Sequence, residues 1–189
     1  MRDDGQGEQV PPCPSERIEL AGLTLQRKTV ADAERVATAV AENLRHLGPW
    51  MAWAVPEAAT SAVQRERLAS AKERWQEGTE YCYLLLARDT DRLLGMCGLH
   101  RRVGPGGLEL GYWLTEAAVG HGHVASAAQA LTTAGLALPD VDCVEIHCDE
   151  ANVRSQAVPR RLGYRLDRIE ADDIRAPAEF GRSMVWIFP

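Results

Sequence analysis

The sequence has no uninterrupted apolar run near the roughly 20 residues that a bilayer-spanning helix requires. It opens on MRDDGQGEQVPPCPSE, polar and acidic, with none of the apolar core of a secretory signal. No Cys-x-x-Cys occurs, and the five cysteines, Cys13, Cys82, Cys97, Cys143 and Cys148, are odd in number. Together these absences argue against membrane insertion, export and a disulfide scaffold. They set the expectation of a cytoplasmic chain with reduced, mostly buried thiols. Basic clusters are missing too. Lys and Arg total 21 against 27 Asp and Glu, for a formal net charge of −6, and the cations come together only in short pairs such as Arg101-Arg102 and Arg160-Arg161. That balance speaks against nucleic acid as a partner and would not repel a cationic substrate.

A metal site is not expected either. Cys143, His147 and Cys148 lie in the strand-like stretch VDCVEIHCD. Alternation there puts Cys143 and His147 on one face and Cys148 on the other, a poor start for tetrahedral ligation. His121 and His123 form a His-x-His pair with no evident third ligand.

What is present suits one α/β (α+β) domain. The chain has 189 residues, 46% of them hydrophobic. Residues 1–16, rich in Pro, Gly and charge, are expected to form a disordered tail, leaving 17–189 as the domain. A strand is expected over 20–27 and a helix over 32–47, where Val36, Val40 and Leu44 recur at i+4 spacing before Gly48-Pro49. Trp50 to Trp53 reads as a loop. A second helix runs from a Ser61/Gln64 capping box to Gly78. Strands over 81–88, 93–102 and 108–114 form an antiparallel meander. A helix over 120–138, a strand over 141–149, a short helix ending at Leu162-Gly163 and strands over 164–169 and 182–188 follow. The sum is a single mixed, mostly antiparallel sheet flanked by helices.

Chemistry concentrates where the strand ending at Leu114 turns into the helix, at Gly120-His121-Gly122. Free N–H groups and the positive end of the helix dipole favour an anion there, although a tight packing turn would also call for glycine. A Walker A loop is excluded, because His123-Val124 follow Gly122 where Lys and Ser/Thr are needed. Gly120-x-Gly122-x-x-Ala125 fits the dinucleotide fingerprint formally, but the acidic residue expected about 20 positions on is misplaced. Asp140 and Asp142 precede the next strand and Asp149 comes late, and the upstream meander does not suit a Rossmann fold.

Four pieces occur in order over about residues 17–189: Leu44-Arg45-His46-Leu47-Gly48-Pro49-Trp50-Met51-Ala52-Trp53; Leu108-Glu109-Leu110-Gly111-Tyr112-Trp113-Leu114; Gly120-His121-Gly122; and Asn152-Val153-Arg154-Ser155 with Arg161-Leu162-Gly163-Tyr164. In this set the chain resembles the GNAT superfamily of N-acetyltransferases, in particular the ribosomal-protein-type (RimJ/RimL-like) group. The resemblance implies acetyl-CoA-dependent transfer to a primary amine of a protein N-terminus or a small molecule, by direct attack in a ternary complex. The alternatives are an acyl-CoA-binding sensor or interaction module without turnover, and transfer of a larger acyl group such as succinyl.

By resemblance the cofactor would lie along Leu114, Thr115, Val119, Gly120, His121, Gly122, His123, Val124 and Ala125. Asn152 would hold its arm, and Ser155 would bond the thioester sulfur. Trp50, Trp53, Tyr112 and Glu109 would line the acceptor cleft, and a homodimer is implied. Glu109 is the candidate base: a carboxylate among apolar strand neighbours is expected to have a raised pKa. Three positions depart from the family pattern. Val119 replaces a Gln/Arg, Val124 replaces a small residue, and Pro159 stands where many members carry a tyrosine acid.

Overall fold

An eight-stranded sheet organises the computed structural model, which describes residues 12–189. The strands are β1 (Arg17–Leu20), β2 (Leu23–Arg27), β3 (Glu80–Ala87), β4 (Leu93–His100), β5 (Gly107–Leu114), β6 (Cys143–Asp149), β7 (Arg165–Ala171) and β8 (Arg182–Phe188). They lie in the order β1-β2-β3-β4-β5-β6-β8-β7. Every neighbouring pair is antiparallel except β5 with β6. The helices are α1 (Ala33–Leu47), α2 (Ser61–Ala69), α3 (Ala71–Gln76), α4 (His123–Leu136) and α5 (Val153–Leu162). None of them is long and apolar enough to cross a membrane.

Alternation along the strands divides the core. Tyr83, Leu85, Leu99, Leu108, Leu110, Val144 and Ile146 pack with Leu131 of α4. Leu84, Leu86 and Leu93 pack with Val36 and Val40 of α1. The sheet is thus apolar on both faces through its middle, and its period-two pattern sorts side chains between α4 and α1.

Several expectations are corrected. The single strand over 20–27 is a hairpin: Gly22, with φ +74°, takes the left-handed conformation that lets the chain reverse between β1 and β2. The long second helix breaks at Ser70 into α2 and α3. Its cap is Thr60, whose hydroxyl accepts from Val63 N–H at 3.4 Å, and not Ser61; Gln64 is buried and donates to the Ala58 carbonyl at 2.6 Å. Of the disordered tail expected over 1–16, residues 1–11 lie outside the described residues. From Pro12 onward the chain is held: Tyr83 donates its hydroxyl to the Ser15 carbonyl at 2.8 Å, and Glu16 pairs with Arg27. Only Cys82 and Cys97 are buried; Cys143 and Cys148 are half-buried, Cys13 is exposed, and all five are free thiols.

Gly98 of β4 lies opposite Cys82 of β3, and a methyl group there would fall 2.4 Å from the Cys82 sulfur and 3.1 Å from its Cα. Gly98→Ala is therefore expected to cost about 1–3 kcal/mol in urea-induced unfolding. Adding Cys82→Ala to the same chain should recover part of that loss, because it removes the sulfur the new methyl meets.

Candidate active site

The parallel pairing of β5 and β6 is only three residues deep: Gly107 with Cys143, Leu108 with Val144, and Glu109 with Glu145. Beyond it β5 stays paired to β4 as far as Leu114, and β6 stays paired to β8 as far as Asp149. From Leu110 onward their facing edges have no strand partner, so backbone donors and acceptors line a gap between them.

One side chain bridges that gap. The Tyr112 hydroxyl lies 3.1 Å from both the carbonyl and the Oγ of Ser155 in α5. Pro159 explains the carbonyl contact. It is the seventh residue of α5, well inside the helix, and has no N–H to donate to the carbonyl four residues back. That carbonyl belongs to Ser155, and Tyr112 donates to it. Burial pushes the Tyr112 hydroxyl above its ordinary pKa, so it stays protonated as a donor. Asn152 caps α5 by accepting from Ser155 N–H at 3.1 Å. The Cys148 thiol borders Ser155, and burial raises its pKa.

At the far end of β5 the chain passes Thr115, whose N–H bonds Leu94, and reaches the glycine turn. Gly120 (φ +87°) and Gly122 (φ +78°) are both left-handed, and a methyl built on either meets nothing within 4 Å. Gly122 therefore cannot belong to the helix, which starts at His123 and not at residue 120 as expected. The first intrahelical bond is from Ser126 to Gly122. The N–H groups of His123, Val124 and Ala125 are left without an intrahelical acceptor, and no side chain caps them. Val124 packs against the core below α4, and Val119 sits in the extended residue that leads into the turn. His121 and His123 stack at 5.5 Å, and burial lowers the His123 pKa first, with His121 and Arg92 adding to it. Arg92 has no ion-pair partner among the described residues and lines cavities with His123 and with Thr115.

The α1 face of the sheet carries a cavity of about 460 Å³ bordered by Trp53, Met96, His100, Glu109, Gly111 and Tyr112. Trp53 leans on Trp113 with ring centroids 6.0 Å apart, and Arg67 lies over Trp53 at 5.8 Å. Tyr112 and Trp113 point to opposite faces. Trp113 joins the core under α1, while Tyr112 packs with the α4 side and reaches the cavity at the gap. Trp50 is half-buried in the turn after α1 and lies outside the cavity lining. The segment between β7 and β8 is anchored to the end of β6 and to the turn after α1. Asp149, at the end of β6, accepts N–H groups from Phe180 and Gly181 of this segment, from Arg182 at the start of β8 and from Ala151. Ala178 N–H of the same segment bonds the Pro49 carbonyl at 2.9 Å.

Glu109 does not have the raised pKa expected of it. Burial pushes its pKa up, but two bonds from Arg102, at 2.6 and 2.5 Å, and the charge of that guanidinium outweigh burial and hold it below the ordinary carboxylate range. Two strands away, Glu80 meets Lys28 at 2.7 Å and Arg74 at 3.0 Å, with His100 Nδ1 at 3.7 Å. Burial raises the Glu80 pKa, yet His100 and Lys28 bring it far below the usual range. Glu80, Cys82 and His100 present donor atoms within 4.8 Å of one another. Cation binding does not suit them: both Glu80 oxygens already face cations, and His100 turns Nδ1 to Glu80 and Nε2 to Cys82. Cys143 and His147 share a face as expected, and His147 is bonded to Glu145 at 2.6 Å.

The structure thus groups the residues singled out in the sequence in three places. Leu114, Thr115 and 119–125 form the path to the α4 N-terminus; Asn152, Ser155 and Tyr112 meet at the gap; Trp53, Glu109 and Tyr112 border the cleft. Sequence reasoning missed Arg92, His100, Lys28 and Glu80, which carry no motif. It also missed Asn43, a buried polar residue on the apolar side of α1 whose Oδ1 accepts from Glu116 N–H at 2.7 Å and ties α1 to the turn before α4.

A family model described as an acetyltransferase (GNAT) domain matches residues 22–165. YdaF of Bacillus subtilis (strain 168), by name a ribosomal N-acetyltransferase, is 26% identical over 150 residues, which span 75% of this chain and 77% of YdaF. The structure of RimL, a ribosomal L7/L12 alpha-N-protein acetyltransferase in complex with coenzyme A, matches with a TM-score of 0.82 at 21% identity, over 92% of this chain and 97% of that one. MccE, a microcin C7 self-immunity acetyltransferase in complex with acetyl-CoA and AMP, matches with a TM-score of 0.81 at 16% identity, over 89% of this chain and 93% of that one. These two structures establish likeness of fold.

The Glu109–Arg102 pair makes stability depend on pH in one direction. Because the folded carboxyl lies below its ordinary value of about 4.3, its contribution is complete above that pH and is lost as pH falls through the folded value. The thermal midpoint of Glu109→Gln should therefore lie furthest below that of the parent near pH 7, and the gap should narrow as the pH falls below the ordinary carboxylate value. A gap that does not change with pH would assign the loss to packing.

Proposed function

The chain belongs to the GNAT acetyltransferase family and is an acyltransferase, and from that premise we propose that it moves an acetyl group from acetyl-CoA to the primary amine of a protein N-terminus. One observation carries this reading. The gap between β5 and β6 runs from a helix N-terminus with free N–H groups, past a tyrosine and a serine, to a cleft on the opposite face. An extended, amide-rich arm with a pyrophosphate at one end and a thioester at the other fits such a path.

The N–H groups of His123, Val124 and Ala125 would receive the pyrophosphate, with open space at Gly120 and Gly122 to admit it. Val119 and Val124 do not obstruct this role: phosphate contacts are made by backbone N–H, and the Val124 side chain is turned to the core. Arg92 is placed for a further phosphate. The arm would take the unpaired edge of β5 from Leu110 to Leu114, where backbone groups lack partners. Asn152 and Ser155 then stand at the thioester end. As the C–S bond breaks, the Ser155 hydroxyl gives its proton to the sulfur, with Tyr112 bonded beside it. Glu109, bound through both oxygens by Arg102, borders the cleft that would receive the amine. The names of YdaF and RimL support a protein as acceptor.

The test is calorimetry with acetyl-CoA, followed by thiol release with peptides bearing a free N-terminal Ser or Ala. Micromolar binding that Gly122→Trp abolishes, together with peptide-dependent thiol release, is the expected outcome. Binding without thiol release from any amine would favour a sensor of acyl-CoA. No binding at millimolar acetyl-CoA would remove the cofactor site.

A further inference from the structure

We infer that His100 takes the proton from the acceptor's ammonium group, and that Glu80 is the residue that positions it. The inference rests on the acetyltransferase reading above and assigns the base that reading leaves open.

His100 ends β4 on the cleft face and lines the 460 Å³ cavity. Its ring lies over Gly111: a methyl placed on that glycine would be 3.8 Å from Nε2 and 3.9 Å from Cδ2. Gly111 is two residues past the last β5–β6 pair, where β5 borders the gap, and it is next to Tyr112. An amine that crosses the cleft toward the gap at Gly111 therefore meets the imidazole. Behind the ring Glu80 Oε2 lies 3.7 Å from Nδ1, an electrostatic contact longer than a hydrogen bond, and beside it the Cys82 sulfur lies 3.8 Å from Nε2. Burial pushes the Cys82 thiol up to about 12, so it remains a thiol and can be only a weak, displaceable donor to Nε2.

The other candidates are engaged elsewhere. Glu109 pairs with His100 across β4 and β5, but both of its oxygens are bound by Arg102, which makes it a poor proton acceptor. His147 is bonded to Glu145 and does not line the cavity. The charged and titratable groups around His100 are Glu80 and Cys82 on β3, Lys28 after β2, Glu66 and Arg67 on α2, Arg74 on α3, Arg102 in the β4–β5 connection and Glu109 on β5. Imidazole is the side chain whose ordinary titration falls in the range such a base requires.

The step balances. His100 Nε2 takes one proton from R–NH3+, giving a neutral amine and an imidazolium facing Glu80. The amine nitrogen bonds to the acetyl carbon, and the C–S bond breaks with its electron pair going to sulfur. The second proton passes through the Ser155 hydroxyl to the thiolate, and the imidazolium returns its proton to water. The products are the acetamide, the free thiol and one proton.

The experiment is the pH dependence of kcat for a peptide with a free N-terminal Ser or Ala, in the parent, His100→Asn, His100→Gln, Glu80→Gln and Glu109→Gln. Acetyl-CoA affinity and thermal midpoint are measured alongside. Both His100 variants should lose about 100-fold or more in kcat and lose the acid limb of the profile, with acetyl-CoA affinity within about threefold of the parent. Glu109→Gln should keep the acid limb, and Glu80→Gln should move its midpoint to lower pH. A His100 variant with kcat within twofold of the parent, or with the acid limb intact, overturns the inference and leaves the acetyltransferase reading standing. So does loss of the limb in Glu109→Gln alone. A parent enzyme that turns over no amine overturns both.

Discussion

Parallel pairing that stops after three residues is the constraint on which the rest of the molecule depends. Had β5 and β6 remained paired to their ends, the sheet would be continuous, and the backbone of Leu110–Leu114 would be satisfied from both sides. Because each strand instead stays with its outer neighbour, a slot opens in the middle of an otherwise closed sheet. The α4 N-terminus lies at one end of that slot because β5 leads into it through a short turn. The α5 N-terminus lies beside it because β6 leads into that helix through Asp149–Asn152. Both approaches to the slot are thus set by strand-to-helix connections, and neither needs a long loop.

Charge on the cleft face follows a simple rule: carboxylates are present, and each is matched by a partner. Glu109 is held by Arg102, and Glu80 by Lys28 and Arg74, while Glu145 is hydrogen-bonded to His147. Such matching keeps burial of these groups from becoming prohibitive. A carboxylate whose oxygens are both bound by a guanidinium is a poor acceptor for a further proton.

The architecture was legible because its signals are local. Period-two strands, the Gly48-Pro49 stop, and the glycine turn between Leu114 and the next helix all act within a few residues, and the ordered motifs placed Glu109, Gly122, Asn152 and Ser155 on their elements. The ionisation of Glu109 was not legible. Its neighbours in sequence are apolar, and Arg102 becomes its partner only because the β4–β5 connection folds back to bring them together. His100 was hidden for the same reason: its setting is built from β3, β5 and two helices, and no spacing in the chain announces it. The break at Ser70 and the hairpin at Gly22 show tertiary packing dividing what propensity alone would have left continuous. Pro159 looked like the loss of an acid; in the helix it leaves a carbonyl free, and Tyr112 takes it.

Asp149 joins parts that belong to different stages of the reaction. Its carboxylate gathers N–H groups from the turn into α5 and from the segment before β8, and that segment is tied in turn to Pro49 beyond α1. The side of the slot formed by β6 and the turn after α1 are therefore coupled like two arms of one lever with Asp149 as its pin. The β6 side of the slot is thereby tied to the turn that carries Met51 and Trp53 to the cleft, so the two ends of the path share one anchor.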